Sequence, residues 1–306
     1  MKSRHSLLVA VLLSLFATSA AYAQKSDREA TYALLGPVKE MRTETADISK
    51  KENDYVEGPR ILSMSVVFNE DGSRPELCLY NEKGALARRI VTKFEKGNET
   101  EFLNYDGGGR MWLRGVFLYD EHGRTRGEET YNGDGSLRSK ATLKRNDAGL
   151  IIQRSEYGPR EVLLEQLKNT FDEAGGLKTT ERAVYREDGS LALKEFTTMA
   201  DKRVESLTYN PDGSLAGRSV RVNQEITQYG ADGSLIKKIQ ITNPARLTDV
   251  SIYEPDGTTR KESQIADEVD TYGNWIKQTK WITDAHGRRP VKVTYRTITY
   301  FPKLSL

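Results

Sequence analysis

A short turn sequence recurs through this chain and constrains everything between its copies. The clearest copy is residues 209–215, YNPDGSL. Pro211 presets φ for a type I turn, and Gly213 accepts the left-handed φ that closes the turn with a bulge. In that register Tyr209 faces Leu215 across the hairpin as a cross-strand pair. One heptapeptide therefore predicts a turn, a strand register and a common face for two large side chains.

Thirteen copies are recognised by their glycine. An aromatic residue stands four positions before it in ten copies, and Arg145, Val269 and Thr283 take that place in the other three. Since glycine tolerates a positive φ, all of these glycines are predicted turn residues. They are Gly72, Gly84, Gly109, Gly123, Gly135, Gly149, Gly175, Gly189, Gly213, Gly233, Gly257, Gly273 and Gly287.

The spacing of the turns predicts the architecture. Some successive glycines lie 12 residues apart and others 24 apart, with a weaker turn sequence near the middle of the longer gaps. The unit is therefore one turn and one strand of about eight residues. Side chains between turns alternate, which is typical of strands. Residues 161–171 fit a strand or a helix, and the continuing turn spacing favours a strand.

These patterns predict an all-β fold with one domain over residues 38–306. We expect an elongated antiparallel β-meander of repeated hairpins, curled or rolled so that its aromatic side is covered. An open sheet, a roll and half of a dimer are all compatible with the periodicity. Residues 24–37 form a polar lead-in that admits one short helix over residues 27–35.

The first 23 residues have the features of a secretory signal peptide. Lys2 and Arg4 precede an apolar run over residues 7–16, and the stretch ends in AYA. No later run reaches the roughly 18 apolar residues of a membrane helix. We expect an exported protein, periplasmic or extracellular, that begins near Gln24.

Charge and cysteine content limit the classes of partner that the chain is expected to bind. Without Lys2 and Arg4 the chain has as many basic as acidic residues, 44 of each among the 46 basic and 44 acidic residues of the whole sequence. A nucleic-acid-binding protein usually has a basic excess, so nucleic acid is not predicted. Cys78 is the only cysteine, which excludes a disulfide within the chain. We interpret it as a small strand residue on the same side as Tyr80.

The sequence offers little catalytic chemistry. His122 and His286 each precede a turn glycine, and no nucleophile, metal or nucleotide motif accompanies them. We predict no catalytic residue, no cofactor and no metal site. A row of turn aspartates leaves calcium as an alternative, although the spacing matches no EF-hand loop. That row is Asp71, Asp134, Asp188, Asp212, Asp232 and Asp256.

Aromatic residues are the better candidates for binding. Trp112, Trp275 and Trp281 form the candidate binding surface, with Trp275 placed beside the turn at Gly273. Residues 273–275 are interpreted first as a terminal cap of the repeat array and second as a binding patch. The repeat tyrosines are predicted to form a stripe, and packing on the buried side of the sheet is its ordinary role. The stripe comprises Tyr105, Tyr119, Tyr131, Tyr185, Tyr209, Tyr229 and Tyr253.

Two copies of the turn sequence carry a resemblance to a known family. Residues 119–124 (YDEHGR) and 131–137 (YNGDGSL) resemble the YD repeats of Rhs-type bacterial proteins. The resemblance covers nearly the whole chain after residue 23. It implies a secreted or envelope-associated β-sheet spiral, and large members build a shell around a toxin. This chain is far shorter and has no added C-terminal domain, so about a dozen hairpins are expected to be too few to close a cavity.

The predicted function is a non-enzymatic interaction or structural module of the cell envelope that binds a protein or a wall glycan. One alternative is an accessory or immunity component of a polymorphic toxin system. A second, from another class, is a cell-wall glycan hydrolase, which requires two carboxylates facing each other across a cleft. An outer-membrane barrel is disfavoured because its strands are about 9 to 11 residues long with an outward apolar band.

Overall fold

The computed structural model describes residues 26–243 and 246–302, with the backbone alone for residues 243 and 246–248. The predicted signal peptide lies outside the described residues. The described chain contains one short helix, α1 (Asp27–Ala30), and 21 strands. None of its helices is long and apolar enough to cross a lipid bilayer.

The strands follow one another with short connections. They are β1 (Val38–Lys51), β2 (Asp54–Glu57), β3 (Ile61–Val67), β4 (Glu76–Tyr80), β5 (Leu86–Glu95), β6 (Asn98–Asp106), β7 (Met111–Tyr119), β8 (Thr125–Asn132), β9 (Leu137–Arg145), β10 (Ile151–Tyr157), β11 (Leu163–Phe171), β12 (Leu177–Tyr185), β13 (Leu191–Ala200), β14 (Arg203–Tyr209), β15 (Leu215–Val222), β16 (Glu225–Gly230), β17 (Leu235–Asn243), β18 (Arg246–Tyr253), β19 (Thr259–Val269), β20 (Trp275–Asp284) and β21 (Gly287–Tyr300). The ambiguous stretch 161–171 is thus a strand from Leu163 onward, as the turn spacing indicated.

The described strands close into a barrel. From β3 to β21 each strand pairs antiparallel with the next, while β1 pairs with β3 on one side and β21 on the other. The ring therefore contains 20 strands, and β2 pairs with the end of β1 outside it. The predicted elongated meander, curled or rolled, is wrong, as is the expectation of too few hairpins to close. The repeat specifies pairing between sequence neighbours only, whereas closure needs the first and last strands to meet.

The barrel has two rims and two faces. The helix rim carries α1 and the turn at Gly72, and the opposite rim carries the turn at Gly84. Partners in an antiparallel register share a face, so the pairing traces each face around the ring. We call the face of Met41 and its partner Val66 the N-terminal face. The other is the tyrosine face.

The main apolar core lies at the helix rim, where the segment 26–37 packs on the N-terminal face. Its buried members are Leu34, Val38, Met41, Val66, Phe68 and Leu77. Among the described residues only 14 hydrophobic side chains are buried. That is too few to fill a 20-stranded ring, because small barrels fill their interior with side chains and wide ones do not. Most strand residues are half-buried on both faces.

The segment 26–37 also spans the seam between β1 and β21. Its Arg28 N–H donates to Gly72 O at 3.1 Å, and its Leu35 N–H donates to Asn274 Oδ1 at 2.7 Å. The buried Asn274 amide in turn donates to Leu35 O and to the Tyr300 hydroxyl, both at 2.9 Å. The segment thereby connects the β3–β4 turn to the β19–β20 turn across the seam.

Candidate functional site

The repeat glycines form the turns of both rims. All thirteen have a φ between +72° and +91°. At residues 209–215 the Gly213 N–H donates to Asn210 O at 3.0 Å, and Tyr209 is the register partner of Leu215, followed by a bulge. The turn sequence therefore determines the register of this hairpin.

The turn aspartates are engaged within their own turns. Asp212 Oδ1 accepts the backbone N–H of Ser214 at 2.9 Å and its hydroxyl at 2.6 Å. Equivalent bonds are made by Asp71, Asp134, Asp188, Asp232 and Asp256. In the described part of the chain no three His, Cys, Asp or Glu residues converge as metal ligands. Hydrogen bonding within the turn is sufficient to explain why aspartate occurs at these positions.

The same bonds predict how stability depends on pH. Hydrogen bonds from Ser214 and Ser234 lower the pKa of Asp212 and Asp232 below the usual 3.8. A lowered carboxyl pKa stabilises the fold above the unfolded pKa, and that stability is lost as pH falls through the folded value. We expect the urea midpoint, measured by circular dichroism, to fall as the pH is lowered from about 4 to about 2. Replacing both aspartates with asparagine keeps the acceptor oxygen and should reduce the fall, whereas an unchanged pH profile would contradict this.

The histidines and tryptophans lie at separate places. The His122 and His286 backbone N–H groups both donate to turn aspartates, at 2.9 Å. Trp112 lies on β7, whereas Trp275 and Trp281 lie on β20, and β21, β1 and β3 to β6 separate them. All three rings are half-buried beside an arginine. The structure therefore does not bring the three tryptophans into one surface.

Tyrosines do form a continuous row. Eight of them precede turns of the opposite rim, lie on the tyrosine face and occupy every second strand from β4 to β18. None is buried, and Tyr253 is 37% exposed. We call this row the tyrosine belt; it comprises Tyr80, Tyr105, Tyr131, Tyr157, Tyr185, Tyr209, Tyr229 and Tyr253. With neighbouring strands about 4.8 Å apart, the belt repeats roughly every 9.6 Å.

The predicted stripe included Tyr119, and that assignment is wrong. Tyr119 precedes a helix-rim turn and follows Phe117 by two residues, which places both on the N-terminal face. Its hydroxyl donates to Glu99 O at 2.5 Å. Conversely, Tyr157 belongs to the belt although the positive-φ residue four positions after it is Glu161 rather than glycine. The face on which each tyrosine lies depends on the rim that its turn occupies. That rim is determined by the direction of the strand and cannot be deduced from the heptapeptide.

A ladder of ion pairs accompanies the belt. Arg218 is the register partner of Tyr229, its guanidinium is 5.5 Å from the ring centroid, and its Nε lies 2.6 Å from Glu205. Lys238 repeats the arrangement with Tyr253 at 5.9 Å and Glu225 at 2.7 Å. The further acid, cation and tyrosine sets are Glu76, Arg89 and Tyr105, and Glu101, Arg114 and Tyr131. Each cation is therefore neutralised beside a partly exposed ring.

The N-terminal face carries its own charges. Glu165 binds Arg154 at 3.1 Å and Arg182 at 2.5 Å. Burial, followed by the charge of Asp27, raises the pKa of Glu99, and burial likewise raises that of Glu128. Sequence reasoning missed these carboxyls, because only the strand register places them on the more covered side of their strands.

Comparisons with known proteins give distant likenesses. No family model matches the chain, and no curated protein matches it. Among solved structures, a porin-like protein from Bacteroides uniformis is 8% identical with a TM-score of 0.31, covering 87% of this chain and 98% of its own. A chain of the Photorhabdus luminescens Tc holotoxin pore is 9% identical with a TM-score of 0.19; the match covers 84% of this chain and 20% of that one. The YD-repeat resemblance therefore stays a prediction.

Proposed function

We propose that this protein is a non-enzymatic barrel of the cell envelope that binds a wall glycan strand along the tyrosine belt. The observation that carries the proposal is the belt itself, in which partly exposed rings recur at every second strand on one face. Its period of roughly 9.6 Å is comparable to one disaccharide of an extended β-1,4-linked glycan. A repeating surface suits a repeating ligand.

The chemistry of the belt favours a neutral, polar polymer. Aromatic rings present apolar faces to the C–H groups of sugars, while the adjacent Glu205 and Arg218 provide hydrogen-bonding groups for hydroxyls. Because each belt cation is paired with a glutamate, the belt lacks the unpaired positive charge that a polyphosphate requires.

The charged side chains on both faces favour a barrel whose wall is in contact with water rather than lipid. The tyrosine face carries Arg114 and Glu101 within its strands, and the N-terminal face carries Arg154, Glu165 and Arg182. A lipid-facing barrel surface requires an apolar band about 25 Å tall. The export predicted from residues 1–23 would bring the barrel beside the wall. Recovery of the protein only in detergent-solubilised outer membrane, rather than after osmotic shock, would contradict this placement.

The test is sedimentation of the purified protein with peptidoglycan sacculi. We expect saturable retention that muramidase digestion of the sacculi abolishes and protease treatment leaves intact. If each ring contributes about 0.5 kcal/mol, replacing Tyr209, Tyr229 and Tyr253 with alanine should weaken binding roughly tenfold. The control variant replaces Tyr119 and Phe171, which occupy the same repeat position at the other rim.

Three results would contradict the glycan proposal. These are no retention of the wild-type protein, equal loss in the control variant, and retention that protease treatment of the sacculi removes. The last result would favour an envelope protein as the partner. Each variant is first compared with wild type by urea unfolding, so that a loss of binding is not caused by a loss of fold.

A further inference from the structure

Arg296 differs from the other charged residues on the N-terminal face. It lies in β21 beside the seam, and its register partner is Thr43 of β1. Its guanidinium stacks 3.6 Å from the ring centroid of Trp275. The stack holds the guanidinium plane against an aromatic face, a geometry that leaves the nitrogen edge free.

No carboxylate in the described part of the chain neutralises this guanidinium. Among the described residues Arg296 forms no ion pair, whereas Arg154 and Arg182 share Glu165. Burial lowers the pKa of Arg296 to about 10, so it remains charged at neutral pH. A half-buried charge without a counter-charge destabilises a fold. Such a cost is offset when an anion binds.

Two further polar atoms at this place lack partners. Arg296 Nε and Thr43 Oγ1 are both buried without a hydrogen bond, and Thr43 is only 8% exposed. Buried donors are nearly always paired in native proteins. A guanidinium and a hydroxyl on one face of adjacent strands are together suited to an oxygen acceptor.

We propose that Arg296, Thr43 and Trp275 form a binding site for a small oxyanion, a carboxylate or a phosphate group. The planar guanidinium binds such groups through two parallel N–H···O bonds. The site lies on the opposite face from the tyrosine belt, so it is independent of glycan binding there. An oxyanion bound there neutralises the charge of Arg296 beside the seam between β1 and β21.

The test is thermal unfolding with added anion at constant ionic strength. Sodium acetate and inorganic phosphate are each titrated against sodium chloride, and the two arms distinguish a carboxylate from a phosphate ligand. We expect at least one oxyanion to raise the Tm of the wild-type protein saturably. Arg296→Gln should abolish the rise, or increase the Kd at least about tenfold. Arg288→Gln is the matched control, because Arg288 stacks on Trp281 at 4.5 Å but is exposed.

Arg296→Met provides a second readout in chloride alone. Because it removes an unpaired buried charge, its Tm in chloride should equal or exceed that of wild type, and neither oxyanion should change it. The proposal is overturned if acetate and phosphate act no differently from chloride on the wild-type protein. An equal response of wild type and Arg296→Gln would overturn it too.

Discussion

Replacing Val293 with aspartate is expected to open the barrel. Val293 in β21 and its register partner Ala46 in β1 are each 1% exposed at the seam. An aspartate there is a buried charge without a partner, which costs about 3 kcal/mol or more. Urea unfolding should show the lower stability, and size-exclusion chromatography should show larger species, because two unpaired strand edges become available for pairing between molecules.

The control for the seam is Val222→Asp. Val222 also lies in a strand on the tyrosine face, but it is 40% exposed, so its aspartate stays solvated. We expect this variant to keep the elution volume of the wild-type protein and nearly its stability. Equal behaviour of the two variants would show that pairing of β1 with β21 does not hold the ring closed.

Replacing Phe68 with alanine is expected to be the most destabilising truncation of a repeat aromatic. Phe68 is 2% exposed, belongs to the core at the helix rim and packs edge-on against Tyr32 with centroids 5.5 Å apart. Truncating a buried phenylalanine costs about 3–5 kcal/mol. The loss is measured as the change in the free energy of unfolding in urea.

Tyr253→Ala is the control for Phe68→Ala. Both residues stand four positions before a turn glycine, yet Tyr253 is 37% exposed on the tyrosine face. Its truncation should cost about 1 kcal/mol or less, since little buried surface is lost. Similar costs at the two positions would mean that the core at the helix rim is no more important than any other repeat.

The sequence predicted the local structure well, because the turn chemistry is local. The register of Tyr209 with Leu215, the positive φ of Gly213 and the strand character of β11 all follow from residues within one or two turns. The turn role of Asp212 was also predictable, since its carboxylate bonds only two residues along the chain. Each of these features is decided by a few neighbouring side chains.

Long-range features were not predictable in the same way. The pairing of Ala46 with Val293 spans almost the whole chain, and neither residue belongs to the turn sequence. Tyr119 and Tyr131 occupy the same position of the turn sequence but lie on opposite faces, because their strands run toward opposite rims. The sequence therefore predicted a binding surface of tryptophans, whereas the strand register aligns the tyrosines. A search for one tyrosine per two strands would have found the belt.

Closure through β1 and β21 has a consequence for how such a protein changes in size. Each hairpin returns the chain to the same rim with the same face orientation, so duplication or deletion of one hairpin within β5 to β18 alters the girth by two strands and leaves every other turn as it was. The segment 26–37 contacts turns on both sides of the junction and has no counterpart elsewhere in the described chain. Lineages that gain or lose hairpins are therefore expected to differ in barrel diameter while retaining the segment 26–37 across the junction.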